Sequence, residues 1–147
     1  MRQFTTIDIN APAARVWSVM SDVLLWHEWT PTVRSITRLD SGPFRIGSRA
    51  FIRQPGFPPA FWKATAVDPG RAFTWVSGAP GMRVVASHSV DAIGDTSRAT
   101  LSLEFQGLLG PWFGRLTAKI NQKYLDLEAK GLKARSEDPY YRHSGGL

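Results

Sequence analysis

One histidine and one tyrosine are the side chains in this sequence best suited to acid–base chemistry. His88 lies in a segment of alternating character and shares a face with apolar neighbours such as Ala86 and Val90. On the concave side of a sheet, an imidazole can hydrogen-bond a ligand carbonyl or carboxylate, or act as a general base near neutral pH. Tyr124 falls on the apolar side of a predicted helix, where its buried hydroxyl needs a partner. For both residues a purely structural role in the core is the alternative, so we assign no catalytic residue.

Several familiar catalytic patterns are missing from the sequence. There is no Gly-x-Gly-x-x-Gly or Walker loop for a nucleotide, and no Gly-x-Ser-x-Gly elbow. The three histidines, His27, His88 and His143, do not have the spacing of a ligand set, and there is no cysteine. The sequence therefore predicts neither a cofactor nor a metal site.

The longest amphipathic segment runs from Gly110 to about Arg135. Gly110 and Pro111 are typical of a helix start, because glycine can cap and proline fits the first turn. Apolar residues then recur at steps of three and four, at Trp112, Phe113, Leu116, Ile120, Tyr124 and Leu127. This pattern predicts one long helix with a single buried stripe.

Most of the chain before this helix reads as strands. Residues 3–10 alternate, Ala11 and Pro12 open a short helix, and Ser21 and Asp22 are predicted to cap a second one. Turn residues then divide the chain into six strands at 33–39, 48–54, 61–67, 72–77, 82–93 and 96–106. We expect an α+β fold in which a seven-stranded antiparallel sheet curves around the long helix and leaves room for a cavity. Residues 1–135 form the domain, and 136–147 are expected to be a flexible tail.

The length and composition of the chain indicate one ordinary globular domain. The chain has 147 residues, of which 43% are hydrophobic, and a net charge of +6. The basic residues are spread along the chain without a nucleic-acid-binding motif, so we expect no nucleic-acid partner. No apolar run reaches the roughly 20 residues of a membrane span and the start does not resemble a signal peptide. We expect a cytoplasmic protein without stable membrane insertion, and leave monomer and homodimer open.

Short segments along the chain resemble a known superfamily. They are Ile9-Asn10-Ala11-Pro12, Val16-Trp17, Ser21-Asp22, Trp26, Trp29-Thr30-Pro31, Gly47-Ser48-Arg49 and Asp68-Pro69-Gly70-Arg71-Ala72-Phe73-Thr74-Trp75. Together with the closing helix they are similar to the START-like superfamily, also called SRPBCC or Bet v 1-like, and most of all to bacterial polyketide cyclase/dehydrase-type proteins. The resemblance implies a helix-grip fold with a hydrophobic cavity under the last helix. It supplies no catalytic residue that can be matched one by one.

The predicted site combines the resemblance with the facing of the side chains. We expect a ligand to contact Phe73, Trp75, His88, Leu103, Trp112, Leu116, Ile120 and Tyr124. We expect a gate or lid at the cavity mouth from Trp26, Trp29, Phe57 and Trp62, since the Pro55–Trp62 loop is unusually apolar. The facing of Arg49, Arg53 and Arg83 is left open, because an inward arginine would favour an anionic ligand.

These features predict binding of a hydrophobic small molecule, such as a lipid, polyketide or aromatic compound. One alternative is a cyclase/dehydratase-type enzyme with His88 as acid and base. The sequence offers no second titratable group near His88, which favours binding over catalysis. A second alternative is a protein-interaction module that acts through the Pro55–Trp62 loop.

Overall fold

The structure is a computed structural model that describes residues 2–140. Its elements, in chain order, are β1 (Arg2–Ile9), α1 (Ala13–Ser21), a 3₁₀ helix (Val23–Glu28), β2 (Ser35–Arg38), β3 (Arg49–Arg53), β4 (Ala60–Asp68), β5 (Ala72–Ala79), β6 (Met82–Ile93), β7 (Thr96–Gln106), α2 (Gly110–Leu116) and α3 (Ala118–Glu137). This order confirms the predicted α+β helix-grip fold.

All seven strands form one antiparallel sheet in the order β1-β7-β6-β5-β4-β3-β2. Strands β2 to β7 follow each other as a meander, whereas β1 joins the far edge beside β7. A register shift between Ala64 and Ala66 marks a bulge in β4, and bulges increase the bend of a strand. The sheet thereby presents one concave face, which the helices cover.

The core lies between this concave face and the helices. On β6 the alternation places Ala86, His88 and Val90 inside, as the sequence pattern predicts. Phe73 and Trp75 on β5 are buried next to them, and Trp26 of the 3₁₀ helix packs on both rings, at centroid distances of 6.2 and 5.3 Å. This aromatic cluster fills the part of the core below the 3₁₀ helix.

The expected single closing helix is two helices. Thr117 leaves helical geometry, with φ −104° and ψ 10°, between α2 and α3. Its hydroxyl donates a hydrogen bond to the Phe113 carbonyl and accepts one from the side-chain amide of Asn121. Hydrogen bonds from a threonine hydroxyl back to the previous turn bend helices. The expected apolar stripe is also wrong in its register, because α3 buries Asn121, Leu125, Ala129, Leu132 and Ser136.

Two smaller expectations also need correction. The second short helix is a 3₁₀ helix whose N-cap residue, Asp22, makes no side-chain cap hydrogen bond, and the Ser21 hydroxyl donates back to the Trp17 carbonyl. At the other end, α3 continues to Glu137 and Ser136 is buried, so the regular structure passes the expected boundary at residue 135. Residues 141–147 of the expected tail lie outside the described part of the chain.

One close contact fixes how the 3₁₀ helix approaches α3. Gly131 lies where a β-carbon would come within 2.0 Å of the Trp29 carbonyl oxygen. Only glycine therefore allows the two backbones to pack at this distance. Among the helices of residues 2–140, none has the length and apolar character needed to cross a membrane.

Candidate ligand cavity

A cavity of about 430 Å³ lies between the sheet and α3. The β3–β4 loop contributes to its wall, and so do helix α2 and the adjoining ends of β5, β6 and β7, which lie at the same end of the sheet. Antiparallel order explains this, since alternate strand ends meet at one end of a sheet. We call this end the cavity mouth.

Aromatic and aliphatic side chains form most of the cavity wall. The larger ones are Trp26, Val33, Ile52, Phe57, Phe61, Trp62, Trp75, Met82, Val84, Leu103, Phe105, Phe113, Tyr124 and Leu125. They come from the sheet, the 3₁₀ helix, the β3–β4 loop and both closing helices. Small-molecule sites are typically built in this way, as apolar walls with a few placed polar groups.

The most distinctive polar feature of the wall is a histidine–carboxylate pair. Nε2 of His88 on β6 lies 3.6 Å from a carboxylate oxygen of Glu128 on α3, and both side chains are largely buried. The imidazole stacks on Phe73 at a centroid distance of 4.6 Å with nearly parallel planes. The ring is thus held from behind by the core and faces the helix that covers the cavity.

Two nitrogens of the wall residues have unusual surroundings. Within residues 2–140, Nδ1 of His88 and Nε1 of Trp62 are buried without a hydrogen-bond partner. Such groups normally cost about 1–3 kcal/mol each when left unpaired.

Sequence reasoning missed Glu128. We expected no second titratable group near His88, and the structure corrects this, because Glu128 supplies one. A signal was present in the sequence: Glu128 follows Tyr124 by four residues and Leu125 by three, so all three lie on one side of α3. The incorrect register of the expected stripe, which placed Leu127 inside, hid this relation.

Tyr124 makes a structural contact with the β3–β4 loop. Its hydroxyl donates a hydrogen bond to the carbonyl of Pro55, and its ring packs edge-on against Phe57 at 5.7 Å. The β3–β4 loop is therefore fastened to α3 at the cavity mouth. Phe57, a predicted lid residue, is half-buried. An interaction role of the loop stays a prediction.

The structure brings together most of the predicted site residues. Trp75, His88, Leu103 and Tyr124 line the cavity. Of the predicted gate residues, Trp26, Phe57 and Trp62 also line it, while Trp29 packs behind Trp26 at 5.7 Å. A role of these residues in ligand contact or gating stays a prediction.

Four predicted ligand contacts lie elsewhere. Phe73 is buried behind His88 and adds nothing to the wall. Ile120 lies beside Gly56 under the β3–β4 loop and is not a wall residue. Trp112 and Leu116 are 64% and 69% exposed, because α2 turns Phe113 toward the cavity instead.

The described wall of the cavity contains a carboxylate but no lysine or arginine. Arg49, Arg53 and Arg83, whose facing the sequence left open, are all exposed, away from the cavity. Glu128 is the single carboxylate among the described wall residues, and no lysine or arginine accompanies it. An anionic ligand would find no cationic partner in this wall.

Comparison with known proteins agrees with this architecture. In solved structures, the fold is similar to the Zhui aromatase/cyclase from Streptomyces sp. R1128, with a TM-score of 0.78, 16% identity, and coverage of 100% of this chain and 99% of that one. A START superfamily protein from Mycobacterium smegmatis matches with a TM-score of 0.72, 17% identity, and coverage of 92% and 97%.

A third similar structure is norcoclaurine synthase from Thalictrum flavum in complex with dopamine and hydroxybenzaldehyde. Its TM-score is 0.73 at 16% identity, with coverage of 97% of this chain and 89% of that one. At such identities the likeness concerns the fold. No curated protein matches this chain in sequence.

The family comparison is more specific. The model of the family described as "Polyketide cyclase / dehydrase and lipid transport" matches residues 4–137, nearly the whole chain. This protein therefore belongs to the polyketide cyclase/dehydrase and lipid transport family.

Proposed function

We propose that this protein binds an uncharged aromatic or polyketide-like small molecule in the cavity between the sheet and α3. The observation that carries the proposal is the cavity of about 430 Å³ with aromatic walls and a single histidine–carboxylate pair. Its volume falls within the range of about 300–1,000 Å³ that small-molecule sites occupy. Membership of a family described by cyclisation and lipid transport supports the same ligand class.

The polar groups narrow the proposed ligand class. The carboxylate of Glu128 accepts hydrogen bonds, so a hydroxyl or phenol on the ligand is a suitable donor. The absence of lysine and arginine from the described wall disfavours free fatty acids and phosphates. A hydroxylated, largely apolar ring system satisfies both conditions.

A cavity-filling variant tests the proposal directly. Val84 lines the cavity from β6, whereas its neighbour Val85 faces the opposite side of the same strand. We expect Val84→Phe to reduce binding of a naphthol, or of a co-purified molecule, at least tenfold. The matched Val85→Phe should bind like the unmodified protein. Native mass spectrometry and titration calorimetry measure the binding.

Equal binding by both variants, with both folded by circular dichroism, would overturn the proposed cavity site. Loss of binding in both variants, again with intact folding, would point to an indirect effect and would count equally against it. Extraction of any molecule that remains bound after purification identifies its chemical class.

One observation favours a second candidate function, a cyclase or dehydratase reaction. The imidazole of His88 faces the Glu128 carboxylate within the cavity, and such a pairing orients a histidine for proton transfer. In this reaction His88 takes a proton from the carbon between two carbonyls of a poly-β-ketone. The resulting enolate attacks a further carbonyl carbon, and the alkoxide that forms takes up a proton. Loss of water follows.

The two functions are separated by kinetics. With a poly-β-ketone thioester analogue, an enzyme should lose turnover at least a hundredfold in His88→Gln, with ligand affinity changed far less. If the protein only binds, the unmodified protein should form no more product than a control without protein. Product analysis by chromatography and mass spectrometry decides between them.

A further inference from the structure

A group of exposed apolar side chains surrounds the short helix α2. Leu108 and Leu109, just before the helix, are 96% and 52% exposed, and Trp112 and Leu116 on its outer side are 64% and 69% exposed. We call these four residues the α2 patch. Trp112 and Leu116 are four positions apart and so lie side by side on the helix.

The backbone holds the patch in a defined position. Gly107 has φ +89°, and a β-carbon there would come within 2.7 Å of the Gly81 carbonyl oxygen. The same carbonyl accepts a hydrogen bond from the Leu109 amide. The β5–β6 turn therefore fixes the β7–α2 connection, and the exposure of Leu108 is built into a tight, hydrogen-bonded turn.

The patch adjoins the cavity mouth. Phe113 lies between Trp112 and Gly114 on α2 and contributes to the cavity wall, as does Phe105 at the end of β7. A seven-residue helix thus presents apolar side chains both to the cavity and to the outside. An apolar molecule that leaves the cavity at this end contacts the apolar α2 patch before it is exposed to water.

The charged residues of α2 and of the first turns of α3 are all basic. Between residues 105 and 125 the sequence contains Arg115, Lys119 and Lys123 and no acidic residue, and all three basic side chains are exposed. The whole chain also carries a net charge of +6. Two copies of this chain that met patch to patch would bring like charges together, so a second copy is a poor occupant.

We propose that the α2 patch docks on the surface of an anionic lipid bilayer, with Trp112 and the leucines in the interface and the basic residues at the headgroups. Tryptophan and leucine beside lysine and arginine are the composition of surface-bound segments. Docking here would open the cavity mouth toward the membrane. The inference extends the proposed function by naming where an apolar ligand is taken up or released, and its docking step does not require that function.

Vesicle sedimentation tests the proposal with the intact protein. The vesicles contain phosphatidylcholine with 30% phosphatidylglycerol, or phosphatidylcholine alone. We expect binding to the anionic vesicles and at least tenfold weaker partitioning for Trp112→Ala/Leu116→Ala, since each buried methylene strengthens membrane binding about fourfold. Ile46→Ala, which removes a side chain of 65% exposure far from α2 in sequence, is the matched control and should partition normally.

The basic residues provide an independent measurement. Arg115→Gln/Lys119→Gln should weaken partitioning to anionic vesicles by about twentyfold or more, because each basic residue near a charged surface contributes roughly fivefold. Partitioning of the unmodified protein should also fall as salt is raised.

Three results would overturn the docking proposal. They are absence of vesicle binding by the unmodified protein, equal loss in the Ile46→Ala control, and a patch-dependent dimer in sedimentation velocity without vesicle binding. Ligand affinity measured without vesicles should be the same in the patch variants as in the unmodified protein. Failure of docking is therefore distinguishable from failure of the cavity proposal.

Discussion

His88 and Glu128 come from elements that are separate in sequence, β6 and α3, and meet across the cavity. Each of them alone would be a costly polar group in an apolar wall. Together they give that wall one directional feature, and the carboxylate gives it a preference for hydrogen-bond donors. We therefore expect the pair to favour apolar ligands that carry a hydroxyl group.

The first prediction concerns Glu128→Gln. We expect the variant to bind 1-naphthol at least tenfold more weakly, because hydrogen bonds to charged groups contribute about 1.5–3 kcal/mol. Naphthalene, which has the same rings and no hydroxyl, should bind both proteins equally. Calorimetric titration of the two compounds measures the difference. A similar loss for naphthalene would show that the substitution acts on the shape of the cavity instead.

A second residue-scale prediction concerns the connection between β2 and β3. Burial alone would raise the pKa of the Asp40 carboxyl, but hydrogen bonds from the Arg49 amide and the Arg38 and Ser48 side chains outweigh it and lower the pKa. We expect Asp40→Asn to lower the free energy of unfolding by about 1–3 kcal/mol at pH 7. Urea unfolding of both proteins measures this.

The sign of the pH dependence follows from the lowered pKa of Asp40. The contribution of this carboxylate is fully present above the pKa of the unfolded chain, whose ordinary value is 3.8, and it is lost as pH falls through the folded-state pKa. The difference between the two proteins should therefore shrink as the pH is lowered below about 4. A constant difference down to pH 2 would contradict the assignment.

At the scale of elements, the approach of the 3₁₀ helix to α3 depends on Gly131. Alanine is a better helix former, yet a β-carbon at this position would meet the Trp29 carbonyl at 2.0 Å. We expect Gly131→Ala to destabilise the fold by about 1–3 kcal/mol, the usual range for overpacking. Thermal unfolding measures the effect, with Ala134→Gly on the exposed side of α3 as a control for helix propensity.

The fastening of the β3–β4 loop gives a fourth prediction. Tyr124→Phe removes the hydrogen bond to Pro55 and keeps the ring against Phe57. We expect faster amide hydrogen exchange in residues 54–60 and a stability loss of about 1 kcal/mol. Ligand dissociation should become faster, since the loop lines the cavity mouth. Unchanged exchange in this segment would show that other contacts hold the loop.

The helices and strands differ in how well their buried faces could be predicted from the sequence. The strand alternation that placed His88 inside was correct because a period of two is preserved along each strand of a sheet. The closing helix was harder, since the stripe from Trp112 to Leu127 was read as one continuous period. The inner face follows Phe113, Asn121 and Leu125 instead, and because Asn121 is polar, apolar spacing alone does not identify this stripe.

The shifted stripe accounts for most of the difference at the site. Phe113 lies in the cavity wall, whereas Trp112 and Leu116 lie outside, and the same inner face of the closing helices brings Glu128 to His88. The Gly131 contact depends on two segments about a hundred residues apart, so no local pattern could have predicted it.

At the scale of the whole molecule, apolar surface is distributed unevenly about the cavity. The residues at the mouth include the most exposed leucine of the described chain, Leu108, next to a run of basic residues without acidic ones. The buried inner part is instead formed by the aromatic cluster of Trp26, Phe73 and Trp75. This uneven distribution gives the docking proposal its orientation.

The position of β1 beside β7 has a consequence for biosynthesis. Arg2 pairs with Glu104 and Ile9 with Ser97, so β1 finds its neighbour only after about a hundred further residues have been synthesised. At about 5–20 residues per second, that interval is on the order of 5–20 s. During this time the nascent meander from β2 onward can form, while β1 and the free edge of the strand added last remain open to chaperones and to wrong partners.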